Sequence, residues 1–158
     1  MYNLKNLIDG KLVPSVSGEV IDVLNPMDNE VIGSVPKGTK EDAQAALLSS
    51  QRAQRDWRKL TAKQRGDYLI ELAELLMDNK EELSDLLTTE HGKPLHEAIG
   101  EVEGAAGFLR YAAESARRIE GEIVTSEMEN EQAWIQRVPF GVTVGIVAWN
   151  FPLALAAR

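Results

Sequence analysis

Apolar positions recur along this chain with two different periods, and the changes of period mark its parts. Residues 5–8 and 11–13 are short, partly apolar runs flanking Asp9-Gly10. That dipeptide is the strongest local signal for a two-residue hairpin turn, because both positions accept positive φ. Residues 19–24 and 30–35 alternate or run apolar around Asn25-Pro26-Met27-Asp28-Asn29, which carries turn chemistry. Two small hairpins are therefore expected before the first helix.

From Thr39 the period lengthens. Thr39 with Asp42 three residues on resembles a capping box, and Ala43, Ala46, Leu47, Ala53 and Trp57 follow at helical spacing, giving an amphipathic helix to about Arg58. A second helix begins at Thr61, with Gln64 as its capping partner and Leu69, Leu72, Ala73 and Leu76 on one face. A third, short helix presents Leu83, Leu86 and Leu87 and stops at Gly92. Pro94 suits the first turn of a long helix to about Arg118. Gly100, Gly104 and Gly107 lie inside it, each costing about 1 kcal/mol relative to alanine. Close approach of another backbone along that face, extended by Ala105, Ala112 and Ala116, is the expected compensation, with a flexible hinge as the alternative.

After Glu120-Gly121 the period becomes two, and residues 132–138 read as an extended segment containing Trp134 and Ile135. Pro139-Phe140-Gly141 interrupts it. Residues 142–148 form a β-branched run without charge, the profile of a strand covered on both faces in a parallel sheet. Helical character resumes at 153–158, with Pro152 suited to the first turn. Strand, tight turn and helix together read as the opening of a βαβ unit.

The chain has 158 residues, 44% of them apolar, which is enough to bury one ordinary domain core and argues against disorder. The uncharged run 142–157 is interrupted by Asn150 and Pro152 and is shorter than the roughly 20 residues of a membrane helix. The first nine residues lack the apolar stretch and cleavage site of a secretory signal, so a cytoplasmic address is expected. The net charge of -8 argues against a nucleic-acid surface. Residues 71–131 hold 16 acidic and 5 basic side chains, which reads as solvated helix faces with i,i+4 pairs. With no cysteine, the chain has no disulfide, no thiolate metal site and no thiol nucleophile of its own.

Ligands of open parallel sheets collect at the carboxyl ends of strands, where the following helix points its positive end outward. Trp149 and Asn150 occupy that place. The Asn150 amide can donate to an oxygen that becomes negative in a transition state, a contribution of about 3 to 4 kcal/mol when preorganised. Equally, Asn150 can serve only as the cap of the helix entered through Pro152. His91 and His96 are five apart with Gly92 and Pro94 between them, which does not make a helical zinc site. Neither a phosphate-binding G-x-x-x-x-G-K nor a G-x-G-x-x-G after a strand is present.

Asn25-Pro26, Ala53-Gln54 with Trp57, Glu90-His91-Gly92-Lys93-Pro94, Pro139-Phe140-Gly141-Val142 and Trp149-Asn150-Phe151-Pro152 stand in the order seen in the aldehyde dehydrogenase superfamily. The resemblance covers essentially the whole chain. Ala112-Ala113-Glu114, Ala116-Arg117-Arg118 and Glu120-Gly121-Glu122-Ile123 look most like its lactaldehyde or glycolaldehyde branch. The implied fold is α/β, the N-terminal part of a Rossmann-like cofactor domain whose variant lacks the usual glycine pattern. Residues 1–121 would hold its hairpins and helices, 122–138 an extended arm pairing with a neighbouring subunit of a homo-oligomer, and 139–158 the first strand, turn and helix.

The implied reaction oxidises an aldehyde to an acid: a cysteine thiolate attacks the carbonyl, hydride passes to NAD or NADP, and water releases the thioester. Asn150 inherits the role of oxyanion donor, and Ile146, Val147, Ala148, Trp149 and Asn150 are carried over as cofactor contacts. Residue 148 departs from the family, in which proline is usual. Some members hold a monovalent cation near positions matching Val23, Leu24 and Glu90; a surface glutamate at a helix end is the commoner reading here, and no metal site is assigned. The chain stops at Arg158, before any catalytic cysteine, so the resemblance implies an N-terminal portion, inactive by itself. The alternative is a stand-alone module binding full-length dehydrogenase subunits; the uncapped end Leu153-Ala154-Leu155-Ala156-Ala157-Arg158 and the scarcity of polar positions in 142–148 argue for the first reading.

Overall fold

Asp9 and Gly10 take φ of 56° and 70°, the left-handed pair of a tight hairpin turn, and join β2 (Asn6–Ile8) to β3 (Lys11–Val13). The computed structural model describes residues 2–158, Met1 lying outside them. The second expected hairpin is β4 (Val20–Leu24) and β5 (Val31–Pro36), antiparallel, with a register shift at Val23/Leu24. The sequence pattern did not signal β1 (Tyr2–Asn3), which pairs parallel to β5 and gives the order β1-β5-β4.

Four helices follow: α1 (Lys40–Trp57), α2 (Ala62–Asp78), α3 (Lys80–His91) and α4 (Leu95–Ser115), the last running into a 3-10 turn over Ala116–Arg118. Both capping boxes form: the Thr39 and Thr61 side chains accept from the Asp42 and Gln64 backbone, and those side chains return the contact. Asp42 does more than cap. Buried at the base of α1, it accepts from Ser15 Oγ at 2.7 Å, Val16 N at 3.1 Å and Thr39 N at 2.8 Å, tying α1 to the loop after β3. The backbone N–H of Thr39 and the Ser15 hydroxyl hold its carboxyl below the usual value, against the opposing effect of burial.

The anticipated apolar face of α1 is not covered. Leu47 and Trp57 stay exposed, and the helix docks through Asp42 and Ser49. Ser49 Oγ meets Asp9 Oδ1 at 3.1 Å. Polar contacts to the hairpins thus decide which face turns inward.

The core lies where α2 and α3 pack on α4. Ala73, Ala106 and Leu109 form one cluster with Leu69, Leu76 and Met77 against it; Leu87, Ala98 and Val102 form another with Leu83. Leu72 instead points outward. Close approach of backbones does occur, but not at the expected glycines: a Cβ on Gly66 of α2 would stand 3.0 Å from the Ala113 carbonyl oxygen. Gly100, Gly104 and Gly107 face open space, because the buried stripe of α4 is Ala98, Val102, Ala105, Ala106, Leu109 and Ala113. Those six follow helical spacing on the face opposite the glycines.

Beyond α4, β6 (Glu122–Thr125) and β7 (Gln132–Ile135) make a separate antiparallel hairpin with all eight residues exposed. Residues 142–148 do not form the expected strand. They run without regular structure, and Val144 is 81% and Ile146 94% exposed. A strand exists only beside a partner, and none of the described strands pairs with them. The turn and helix after them do form, as α5 (Pro152–Ala157), whose Leu153 and Ala157 join the α4 clusters. The expected i,i+4 pairing of the acidic run also differs: its ion pairs, Lys80 to Glu103 at 3.0 Å and Lys93 to Glu101, cross between segments. No helix among the described residues is long and apolar enough to cross a membrane.

Candidate functional site

Gly92 ends α3 with φ 77° and ψ 7°, and its N–H donates to Thr88 O at 2.8 Å. That left-handed turn needs glycine, and a Cβ there would also meet Pro26 Cγ at 3.0 Å. The reversal places His91 and Lys93 on either side of the turn, and each takes hold of the segment before α5. His91 Nε2 stands 2.7 Å from the Trp149 carbonyl oxygen, and the two rings lie 5.7 Å apart. Since a carbonyl only accepts, Nε2 donates to it, and Nδ1 is buried without a partner among the described residues.

Lys93 holds the next carbonyl. Its Nζ donates to Asn150 O at 2.9 Å and to Glu101 Oε2, and lies 4.4 Å over the Phe151 ring. Glu101, from α4, uses its other oxygen on α5: Oε1 accepts from Leu153 N at 2.9 Å and Ala154 N at 3.2 Å. Lys93 is 7% and Glu101 3% exposed. A carboxylate at a helix N-terminus satisfies two amides that have no intrahelical partner and complements the helix dipole. Burial pushes the Glu101 carboxyl upward, but the Lys93 ammonium and the N–H groups of Ala154 and Leu153 outweigh it, and the group sits below its usual value.

The cap position of α5 belongs to Phe151, with no side chain bonding to it, so Asn150 is not the cap of this helix. Asn150 is exposed, with its carbonyl tied inward to Lys93. Trp149, 79% exposed, sits beside it at the mouth of α5. Ile146, Val147 and Ala148 lead into that turn without regular structure, Ile146 at 94% and Val147 at 42% exposure. Glu90 is exposed, and no group of three His, Cys, Asp or Glu among the described residues is placed to hold a metal ion.

A family model described as "Aldehyde dehydrogenase family" matches residues 12–158. This chain belongs to the aldehyde dehydrogenase family. Over its whole length it is 43% identical to 3,6-anhydro-alpha-L-galactose dehydrogenase of Vibrio sp. (strain EJY3), covering 33% of that protein. It is 38% identical to the NADP(+) succinate-semialdehyde dehydrogenase of Escherichia coli (strain K12), again over 33% of the relative. A solved structure of 3,6-anhydro-L-galactose dehydrogenase in complex with NAP matches with a TM-score of 0.93 at 40% identity, over 99% of this chain and 32% of that one. The chain thus spans about a third of the length of these relatives, and its mixed α/β fold is that of the N-terminal part of aldehyde dehydrogenase structures.

Within this family segment, the residues to which sequence reasoning gave no part in the site are His91, Lys93 and Glu101. Glu101 looks like one more acid in an acidic run, and Lys93 stands only as one position of Glu90-His91-Gly92-Lys93-Pro94. The available signal was positional: Glu101 falls in register with Ala98, Val102 and Ala105 on the buried stripe of α4, where an unpaired carboxylate would be costly.

Proposed function

We propose that this chain is the N-terminal portion of an NAD(P)-dependent aldehyde dehydrogenase that oxidises an aldehyde to a carboxylic acid through a cysteine thioester. The observation that carries the reading is the turn at Trp149-Asn150-Phe151 within a segment matched by the family from residue 12 to 158. Its asparagine has an exposed side chain and a carbonyl fixed from below. In this reading the Asn150 amide donates to the oxyanion formed when the thiolate adds to the aldehyde. The thiol comes from outside these 158 residues, which contain no cysteine.

The residues fit one wall of a cofactor site. Ile146, Val147, Ala148 and Trp149 offer an apolar edge whose backbone is not taken up in a sheet. The bound nicotinamide supplies the acceptor for hydride. What the chain's own residues contribute is shape along 146–149 and the orientation of Asn150. Alanine at 148 has a backbone N–H that proline would lack.

The remaining assignments belong to the same proposal. Residues 1–121 and 139–158 would form parts of one cofactor domain, and residues 122–138 an arm used in homo-oligomerisation. The arm is supported by the exposed pair Ile123 and Trp134, which face each other across the hairpin. The relatives above are named for an anhydrogalactose and for succinate semialdehyde. The lactaldehyde or glycolaldehyde branch has no support beyond the match at 112–123, and the proposal is therefore made for aldehydes as a class.

The test is an assay of the complete polypeptide carrying this segment, with short aldehydes and NAD or NADP, following reduced nicotinamide. Aldehyde-dependent reduction is the expected result; none with any aldehyde or either cofactor would contradict the proposal.

A further inference from the structure

We propose that the buried Lys93–Glu101 pair is a positioning device for Asn150, fixing the oxyanion-donor turn to α4 through two linked contacts. The inference rests on the reading of Asn150 given above. Three observations carry it. Glu101 divides its oxygens between two tasks: Oε1 holds the Leu153 and Ala154 amides, and Oε2 holds the Lys93 ammonium. The ammonium in turn holds the main-chain oxygen of Asn150 itself. Both side chains are more than nine-tenths buried, so neither contact is exchanged freely with water.

The carbonyl of Trp149 is held by His91 from the other side of Gly92. Two successive carbonyls are thus anchored by a three-residue turn, while the Asn150 side chain stays exposed. A donor acts on a developing oxyanion only if it is already in place, and a displacement of about 1 Å costs on the order of 100-fold in rate. An exposed loop residue has no packing of its own to supply that precision. The Lys93–Glu101 pair supplies it through the backbone, and Lys93 and Glu101 are positioning residues that need not touch the substrate.

The experiment uses the complete polypeptide and three variants, Lys93→Met, Glu101→Ala and Glu101→Gln, with two independent readouts. Amide hydrogen exchange at Leu153 and Ala154 reports the clamp without reference to activity. In Glu101→Ala it should accelerate at those two amides while amides of α2 keep their rates. Glu101→Gln keeps an acceptor of the same shape and should hold exchange near the wild-type rate, yet lose the charge that fixes Lys93.

The kinetic readout separates positioning from simple loss of folded protein. Lys93→Met and Glu101→Gln should lower kcat by about 10- to 100-fold, with aldehyde KM and cofactor stoichiometry retained; Lys93→Arg, which keeps the cation, should recover part of the rate. Unchanged exchange at Leu153 and Ala154 in Glu101→Ala overturns the clamp. So does wild-type kcat in both Lys93→Met and Glu101→Gln, or a fall in kcat that only tracks lost cofactor stoichiometry. A wild-type protein that oxidises no aldehyde would overturn the functional reading and not the clamp, which exchange still decides.

Discussion

Taking a lysine and a glutamate out of water is unfavourable unless each finds partners, and at Lys93 and Glu101 every partner is part of the same small structure. Removing one member leaves the other buried and uncompensated. Glu101→Ala is therefore expected to destabilise the chain by about 3 to 5 kcal/mol, and the double change Lys93→Met with Glu101→Leu by less than the sum of the single changes; chemical denaturation of the wild type and the four variants measures both. The acid limb of stability follows from the same site. Because the Glu101 carboxyl lies below its unfolded value, its ionised form stabilises the fold above the ordinary carboxylate range. That contribution is lost as pH falls through that range toward the depressed folded value. Asp42 adds an effect of the same sign at the base of α1. Denaturation midpoints should fall with acidification, and Glu101→Gln should flatten that fall; an unchanged slope would contradict the assignment. Asn150 was singled out in the sequence by its place between the 142–148 run and Pro152. Lys93 and Glu101 were not, since eight residues separate partners that meet only once α4 has folded.

At the scale of elements, what could be read was what is decided locally. Both capping boxes, the Asp9-Gly10 turn, the stop at Gly92 and the start at Pro94 depend on neighbours within four residues. Orientation depends on distant neighbours, and there the pattern misled: α1 turns polar groups inward, and the three glycines of α4 face outward. Residues 142–148 have the composition of a central strand, but composition does not provide the flanking strands that would make them one. The glycines give a paired test. Gly66→Val forces a side chain against the Ala113 carbonyl and should cost about 1 to 3 kcal/mol by overpacking. Gly104→Ala meets nothing within 4 Å and should stabilise the 158-residue chain by about 0.5 to 1 kcal/mol through helix propensity. Thermal or urea denaturation of the two variants should move in opposite directions.

The whole molecule presents 12194 Å² of accessible surface, against roughly 7900 Å² for a compact chain of its 17.4 kDa mass. Exposed apolar side chains occur along the whole chain, and the β6–β7 hairpin and the 139–149 segment are rich in them, with Phe140, Ile146 and Trp134 among the most exposed. Surfaces of this kind are contact surfaces. If the hairpin is an oligomerisation arm, Trp134→Arg in the complete polypeptide should shift sedimentation toward smaller species without loss of helix signal; an unchanged mass would remove the arm from the account. The central claim concerns Asn150, and kcat of the complete polypeptide with and without Asn150→Ala tests it most directly. A fall of about 100- to 1000-fold in kcat is the predicted result; a variant that oxidises its aldehyde at the wild-type rate would contradict it.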